Sequence, residues 1–378
     1  MNSRPSLLIV SFSTLVSDPR VLKQIALFSE EYAVSTCGYG PAPDGVAEHF
    51  SVPEEKVYWH YPKLAVVTRQ YRSAYRKNPA VSWVLERVQR ASFDAILAND
   101  VDSAGVAVAL EPRYGFHADL HEYSPLQNTE LARFRYFVSP FLSWQIRRFV
   151  SQARSTTTVC ESLARKYSEV FGFHPDIVMN APSFIDLKPS AVAEPIRLVH
   201  AGAALANRRL EVLIDAVAAV GPVVELDFYL TTNDASYLNS LKSRASSASN
   251  VHFQEPVAFD ALVPTLNSYD VGIHILAPTN FNNANALPNK FFEYVQARLA
   301  LIVGPSPEMA AILREKDLGV VTADFSTEVL VAELRKLDRN AVERWKENSH
   351  LAANELSAEN QVPVWRRAID ALVEAGEE

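Results

Sequence analysis

An asparagine-rich segment leads directly into an aromatic helix between residues 280 and 303. We predict that this helix begins near Lys290, with Pro288 in its first turn. Asn285 or Asn289 is expected to cap it. Backbone N–H groups at a helix N-terminus are unpaired and lie at the positive end of the helix dipole, so they favour anions. The segment therefore predicts an anion site.

Glu293 lies about one turn inside this helix, among Phe291, Phe292 and Tyr294. A carboxylate in apolar surroundings needs a hydrogen-bonding or charged partner. A pair of ligand hydroxyls would satisfy it, and so would Lys290, three residues earlier on the same helical face. The residues alone leave both alternatives open.

Arg208 stands at the predicted start of another helix, where a cation is disfavoured by the helix dipole. An anionic ligand would explain its position. Asp18 precedes Pro19 and is a good N-cap residue, with Arg20 as a local tie or an acceptor contact. His121 follows a predicted strand beside acidic neighbours, and His274 is expected to be a satisfied core histidine.

Composition places this chain of 378 residues among globular proteins with room for two domains. Hydrophobic residues make up 48% and charged residues 21%, and no apolar run is long enough for a membrane span. The net charge of −8 argues against a nucleic-acid partner. Two cysteines provide no disulfide framework, we expect no signal peptide, and we expect a cytoplasmic protein.

Basic and aromatic residues are interleaved in the N-terminal half. Residues 56–90 hold eight basic residues and one acid, and residues 133–154 hold five basic residues and no acid. Such segments are typical of a solvated helical face over buried aromatics. They are equally typical of a surface that docks on an anionic membrane. Both alternatives stay open.

Strands and helices alternate along the whole chain, which predicts an α/β protein with parallel sheets. A first strand at residues 7–12 is followed by a helix from Pro19 and a second strand at 32–39. No G-x-G-x-x-G motif follows the first strand. Three prolines at residues 180–195 predict a linker. The expected domains are 1–185 and 196–358, and a last helix at 359–378 returns to the first domain.

Five motifs in this order resemble those of retaining family 4 glycosyltransferases with the GT-B fold. They are Asp18-Pro19-Arg20-Val21-Leu22, Asp119-Leu120-His121-Glu122, Val159-Cys160-Glu161-Ser162-Leu163, Gly202 with Asn207-Arg208-Arg209-Leu210-Glu211, and the segment through Pro288-Asn289-Lys290 to Glu293-Tyr294. The chain departs from the family pattern at five positions. Asn285 replaces a Glu, Arg209 and Arg298 each replace a Gly, Ala300 replaces a Pro, and Cys160 replaces a Ser.

The resemblance implies a GT-B fold, with two Rossmann-like domains facing across a cleft. It also implies roles for individual residues. Arg208 would hold the donor diphosphate, with Arg209 or Lys290 as a second cation, and Glu293 would bind the ribose. His121 would lie beside the reacting sugar. The remaining implied donor-side residues are Gly202, Asn285, Ala286, Leu287, Pro288 and Asn289, and those on the acceptor side are Asp18, Arg20, Asp119 and Glu122.

The function implied is retaining transfer of a sugar from a nucleotide-sugar donor to a glycan or lipid-linked glycan in bacterial surface polysaccharide synthesis. The resemblance also implies a hexosyltransferase that needs no metal and no cofactor. A peripheral position on the inner face of the cell membrane would suit such an acceptor. Two alternatives remain: a nucleotide-sugar epimerase of the same fold, and a catalytically silent binding protein.

Overall fold

The chain folds into two compact units in a computed structural model that describes residues 4–377, with side chains described up to residue 375. The first unit contains the described chain up to Met179 and from Gln361 onward, and the second spans Asn180 to Asn360. The predicted limits at residues 1 and 378 lie outside the described residues. No described helix combines the length and apolarity that crossing a bilayer requires.

The first unit is a parallel sheet of seven strands with helices between them, in the order β3-β2-β1-β4-β5-β6-β7. Its elements are β1 (Ser6–Thr14), α1 (Pro19–Phe28), β2 (Ala33–Tyr39), β3 (Glu48–Ser51), α2 (Lys63–Val67), α3 (Tyr71–Arg76), α4 (Pro79–Arg87), β4 (Ala95–Asn99), α5 (Asp100–Leu110), β5 (Phe116–Leu120), α6 (Ser139–Arg148), β6 (Ser155–Thr158), α7 (Glu161–Phe171) and β7 (Asp176–Ile177). The strand order reverses direction between β1 and β4. Ligands of open α/β sheets bind at such a switch point, beyond the carboxyl ends of the strands.

The second unit repeats this architecture with six parallel strands in the order β10-β9-β8-β11-β12-β13. Its elements are β8 (Ile196–Ala203), α8 (Glu211–Val220), β9 (Val224–Thr231), α9 (Ala235–Ala245), β10 (Val251–Gln254), α10 (Phe259–Leu266), β11 (Val271–His274), α11 (Phe281–Ala284), α12 (Asn289–Gln296), β12 (Ala300–Val303), α13 (Pro307–Lys316), β13 (Gly319–Val321), α14 (Thr327–Leu334) and α15 (Arg339–Ala352). Its switch point lies between β8 and β11.

The last helix, α16 (Pro363–Glu377), belongs to the first unit. Trp365 is fully buried there, and Ile369 packs in the same core. Residues 180–195, the predicted linker, are hydrogen-bonded to the second unit. Backbone N–H of Ile185 donates to Gln296 at 3.3 Å, and the Ser190 hydroxyl donates to the carbonyl of Asn267 at 2.8 Å.

Residues 132–148 are helical without a break, because a π-helical turn at Phe134–Val138 continues into α6, and a 3₁₀ turn at Val150–Gln152 follows. The cap predicted for α12 is wrong. Neither Asn285 nor Asn289 caps α12, because Pro288 occupies the N-cap position and offers no side-chain acceptor. The asparagine-rich loop contains the short helix α11, which Asn280 caps by accepting from the N–H of Asn283.

Arg298 and Arg209, the two arginines at family glycine positions, both have left-handed backbone conformations. Their φ angles are 61° and 52°, which explains why glycine suits these positions. Arg298 is fully buried and offsets this strain with hydrogen bonds. Its guanidinium donates to the carbonyl of Gln296 at 2.6 Å and to that of Ile185 at 2.7 Å.

We therefore expect Arg298→Ala to lower the free energy of unfolding by about 3 kcal/mol, because it removes the guanidinium bonds to the carbonyls of Gln296 and Ile185 and keeps a Cβ at positive φ. Arg298→Gly should be less harmful by about 1 kcal/mol, since only the left-handed strain is relieved. Urea unfolding of both variants measures this difference. If the Gly variant is the less stable one, our account of the strain is wrong.

Candidate functional site

A cavity of about 1080 Å³ opens in the first unit at its switch point. Its floor is built by the ends of the two strands that flank the reversal. Ser11, Phe12 and Ser13 come from β1, and Asn99 and Asp100 follow from β4. Parallel strands end at the same sheet edge, so their last residues converge there. The first unit thus holds a partly open cavity where the fold favours a ligand.

Three predicted site residues line this cavity: Asp18, His121 and Glu122. Asp18 caps α1 as predicted, accepting from the N–H of Arg20 at 3.0 Å. His121 follows β5, where its backbone N–H donates to the carboxylate of Asp100 at 3.0 Å. Asp100 has a φ of 64° at the junction of β4 and α5, and this conformation directs the chain sharply into the helix.

The imidazole of His121 is held between carboxylates on both sides. Its Nδ1 lies 3.4 Å from Asp100, and its Nε2 lies 3.4 Å from Asp119 and 3.1 Å from the amide oxygen of Asn99. Burial lowers the pKa of His121, but the two carboxylates outweigh burial, so the pKa is raised. Both nitrogens face acceptors, an arrangement that suits a positioned imidazolium better than a free general base.

Asp119 and Arg20 lie behind the cavity and form a buried ion pair. The carboxylate of Asp119 accepts from Arg20 Nε at 2.7 Å and from Nη2 at 2.6 Å. Gln24 and Thr157 donate to the same carboxylate at 2.8 and 2.7 Å. Burial alone would raise the pKa of Asp119, but the Arg20 charge and the bonds from His121 and Arg20 hold it well below its usual value. Arg20 is therefore a long-range tie, and its prediction as a local one is wrong.

The second unit gathers basic groups at its own switch point. Lys290, at the second position of α12, reaches Gly202 at the end of β8. A Cβ at Gly202 would lie only 2.6 Å from the lysine Nζ, so a side chain at this position would displace the ammonium group. Lys290 Nζ also lies 3.5 Å from Nε2 of His200, whose Nδ1 is 2.8 Å from the carbonyl of Ile273. The carbonyl fixes the histidine tautomer, so Nε2 accepts from the lysine.

Lys290, His200, His274 and Arg208 form this basic cluster. Burial, then Arg208, lowers the pKa of Lys290 to about 7, although Glu293 opposes this. Burial and the neighbouring cations hold the pKa values of both histidines well below their ordinary value. His274 is buried, and neither ring nitrogen has a hydrogen-bond partner among the described residues. The expectation of a satisfied core histidine is therefore wrong.

The prediction that Arg208 starts a helix is wrong. This residue ends a 3₁₀ turn at Ala206–Arg208, and α8 begins only at Glu211. Arg208 is therefore not at a helix start, and a helix dipole does not explain its position. Its electrostatic influence on Lys290 and both histidines nevertheless places it near the basic cluster.

The other predicted donor-side residues lie before or within α12. Asn285 donates from its side chain to the carbonyl of Phe281 at 2.9 Å, and the carbonyl of Ala286 accepts from Ser306 at 3.1 Å. Leu287 and Glu293 are buried. Pro288 and Asn289 begin the helix, and Arg209 is largely exposed, 3.8 Å from Glu211.

Sequence reasoning did not identify His200, Asp102, Trp59 or Tyr61 as site residues. His200 lies in a buried strand two positions before Gly202, and this proximity to the predicted donor-side glycine was the available signal. Asp102 belongs to an Asp-Val-Asp sequence in the first turn of α5. In the structure it lines the first-unit cavity, and the hydroxyl of Tyr61 donates to it.

Comparison of the whole structure with solved structures identifies the architecture. HepE of Anabaena, solved with UDP and glucose, is similar with a TM-score of 0.70 and 13% identity, over 97% of this chain and 100% of that one. WaaG, a glycosyltransferase involved in lipopolysaccharide biosynthesis, gives 0.60 and 15%, over 96% and 98%. A trehalose-phosphate synthase of Burkholderia xenovorans, solved with glucose 6-phosphate, gives 0.66 and 10%, over 97% and 100%.

The chain has the GT-B fold. The prediction of fold class is thereby confirmed at low sequence identity. No family model matches the sequence, and comparison with curated proteins gives no match. The GT-B likeness therefore establishes the architecture, and the chemistry has to be argued from the two switch-point sites.

We expect Arg20→Met to lower the free energy of unfolding by about 3–5 kcal/mol at neutral pH, because Asp119 keeps a buried charge without its partner. The matched control, Arg244→Met, breaks an exposed pair with Asp215 and should cost less than about 1 kcal/mol. Chemical denaturation measures the free energy of unfolding of the wild type and of both variants.

The loss of unfolding free energy in Arg20→Met should become smaller as the pH falls. The depressed pKa of Asp119 means that the wild-type pair contributes stability above the unfolded-state value near 4, and this contribution is lost as the pH falls. The gap between wild type and Arg20→Met should therefore narrow in acid. A gap that stays constant from neutral pH to about pH 3 contradicts this explanation.

Proposed function

We propose that this protein transfers a sugar from a nucleotide-sugar donor, with the donor diphosphate bound at the basic cluster of the second unit. The observation that carries the proposal is the packing of Lys290 against Gly202 and His200 at the switch point. Lys290 lies close enough to Arg208 for the guanidinium to lower its pKa, and this repulsion between two cations is costly unless an anion offsets it. A diphosphate at the N-terminus of α12 would offset it and would accept hydrogen bonds from lysine and guanidinium.

Glu293 supports the nucleoside part of the proposal. It is a buried carboxylate one turn beyond Lys290 on α12, and carboxylates accept hydrogen bonds from ribose hydroxyls well. The GT-B neighbours include HepE, solved with UDP and glucose, which motivates a uridine nucleotide as the first probe. Arg208 then supplies a guanidinium for the phosphate oxygens.

The reaction proposed is transfer with retention and without a metal. The acceptor oxygen bonds to the anomeric carbon on the face that the diphosphate leaves. The bond from that carbon to the phosphate oxygen breaks, and the acceptor proton passes to the departing diphosphate. Lys290 and Arg208 stabilise the charge that develops on the leaving group. In the first unit, His121 is held by carboxylates beside the cavity in which we place the acceptor.

We expect UDP-glucose to raise the melting temperature of the wild-type protein. Lys290→Met and Arg208→Met should each weaken binding by about 10- to 100-fold, because a charged hydrogen bond to phosphate contributes roughly 1.5–3 kcal/mol. Lys336→Met is the matched control, because Lys336 is an exposed lysine of the same unit that pairs with Glu333. A thermal shift that is equal in all four proteins would refute the site, and the same screen with GDP-, dTDP- and ADP-sugars covers other donors.

We also propose that the first unit docks on an anionic membrane and takes a glycan or lipid-linked glycan, as in synthesis of bacterial surface polysaccharide. Leu64 and Val67 on α2 are 76% and 51% exposed. Next to them, Arg69, Arg72, Arg76 and Lys77 line a depression of about 620 Å³ together with Tyr71 and Trp144. Exposed apolar groups beside cations suit a bilayer interface with acidic headgroups.

Vesicle co-sedimentation tests this docking. Wild-type protein should pellet with vesicles that contain phosphatidylglycerol and much less with neutral phosphatidylcholine vesicles. The double variant Arg72→Glu/Arg76→Glu should lose most of this binding, because it reverses two charges beside the depression. Arg314→Glu, a charge reversal at an exposed position of the second unit, is the control and should bind as wild type does. Equal recovery with both kinds of vesicle ends the proposal.

A further inference from the structure

The cavity of the first unit has an uneven charge distribution. Four carboxylate side chains line it, from Asp18, Asp100, Asp102 and Glu122, against two formal cations, Lys63 and Arg133. Both cations are exposed, whereas Asp18, Asp100 and Asp102 are half-buried in the wall. The inner part of the cavity is therefore acidic, and the cations lie at its outer edge.

The positive groups near the cavity floor are already neutralised by the protein. His121 lies between Asp100 and Asp119, and the guanidinium of Arg20 is bonded to the carboxylate of Asp119. Neither residue is left to balance an anion inside the cavity. A phosphate bound there would face the carboxylate of Asp102 without a compensating charge, which is an unfavourable arrangement in a partly desolvated site.

Aromatic side chains supply the rest of the recognition surface. Tyr58, Trp59, Tyr61, Phe134 and Phe137 line the cavity, and Trp59 is 60% exposed. Aromatic faces pack on the apolar faces of sugar rings, and carboxylates accept hydrogen bonds from ring hydroxyls. A volume near 1080 Å³ lies at the upper end of the range for small-molecule sites, so more than one sugar ring fits.

We propose that the sugar of the acceptor that enters this cavity is uncharged, and that a phosphate ester on that sugar is excluded. The inference rests on the proposed transferase function and specifies the acceptor at the same site. A phosphate elsewhere on a longer acceptor is compatible with it only outside the cavity, toward Lys63 and Arg133. The GT-B fold alone does not decide whether a phosphorylated sugar can bind, because the trehalose-phosphate synthase with this fold was solved with glucose 6-phosphate.

The test uses the full chain with the nucleotide sugar that stabilises it and a panel of p-nitrophenyl glycosides of glucose, galactose, mannose and N-acetylglucosamine. Each glycoside is offered as the neutral sugar and as its 6-phosphate. We expect transfer to at least one neutral glycoside, and at least tenfold slower transfer to its 6-phosphate. Release of the nucleoside diphosphate in the absence of any acceptor is measured in parallel, and it reports on the donor site alone.

Asp102→Asn isolates the charge, because an asparagine oxygen still accepts the hydrogen bond from Tyr61. We expect this variant to reduce the discrimination against the 6-phosphate by about fivefold, as one screened charge a few ångströms away would. Glu86 is an exposed carboxylate of the same unit outside the cavity lining. Glu86→Gln should therefore leave the discrimination against the 6-phosphate unchanged.

The outcomes separate the two proposals. If no nucleotide sugar binds or turns over, the proposed function fails. If the donor is turned over but the 6-phosphates are the better acceptors, or no neutral glycoside accepts, the inference about the acceptor is overturned while the donor site stands. If Asp102→Asn discriminates against the 6-phosphate as strongly as the wild type does, the charge of Asp102 is not the cause of the discrimination, and the electrostatic explanation is wrong.

Discussion

Compensation of buried charge governs both halves of this molecule, and the two units achieve it differently. In the first unit, Arg20 and Asp119 neutralise each other, with Gln24 and Thr157 completing the hydrogen bonds to the carboxylate. Each charge of this ion pair is balanced within the protein. The pair stabilises the fold, because removing either partner would leave the other as an unpaired buried charge. In the second unit, basic groups from β8, β11 and α12 meet at one point, and the counter-charge that we propose for Lys290 and Arg208 is an anionic ligand.

The sheet order explains why these groups meet where they do. Each unit reverses its strand order once, between β1 and β4 and between β8 and β11. Loops diverge at such a point and leave room above the strand ends. The polar residues that follow these strands are therefore accessible to ligands, although the strands themselves are buried. The first-unit cavity and the basic cluster of the second unit are the same topological feature with different side chains.

Much of this arrangement could be predicted from the sequence where the signal is local. The Asp18-Pro19 cap, the strand Phe116–Leu120 and the start of α12 near Lys290 follow from residue preferences over a few positions. The pair of Arg20 and Asp119 could not be predicted in this way, because its partners are 99 residues apart and meet only when the sheet forms. The contact of His200 with Lys290 joins residues 90 apart, so it also needed the structure.

Arg298, which stands where the family pattern has a glycine, also depends on a contact between distant parts of the chain. Arg298 and Arg209 tolerate left-handed backbone where glycine is usual, and Arg298 stabilises its position through long-range hydrogen bonds. A left-handed backbone disfavours both residues, and at Arg298 the long-range hydrogen bonds offset this cost.

The account rests on one claim, that the basic cluster around Lys290 is completed by a phosphate group. Calorimetric titration of UDP-glucose at pH 7.5 in buffers of different ionisation enthalpy tests it directly, because its phosphodiester oxygens do not titrate near this pH. An anion bound at Lys290 raises the lowered pKa of that ammonium, so we predict uptake of roughly half to one proton per molecule bound, and none in Lys290→Met. Binding without proton uptake, or equal uptake in both proteins, would contradict the account.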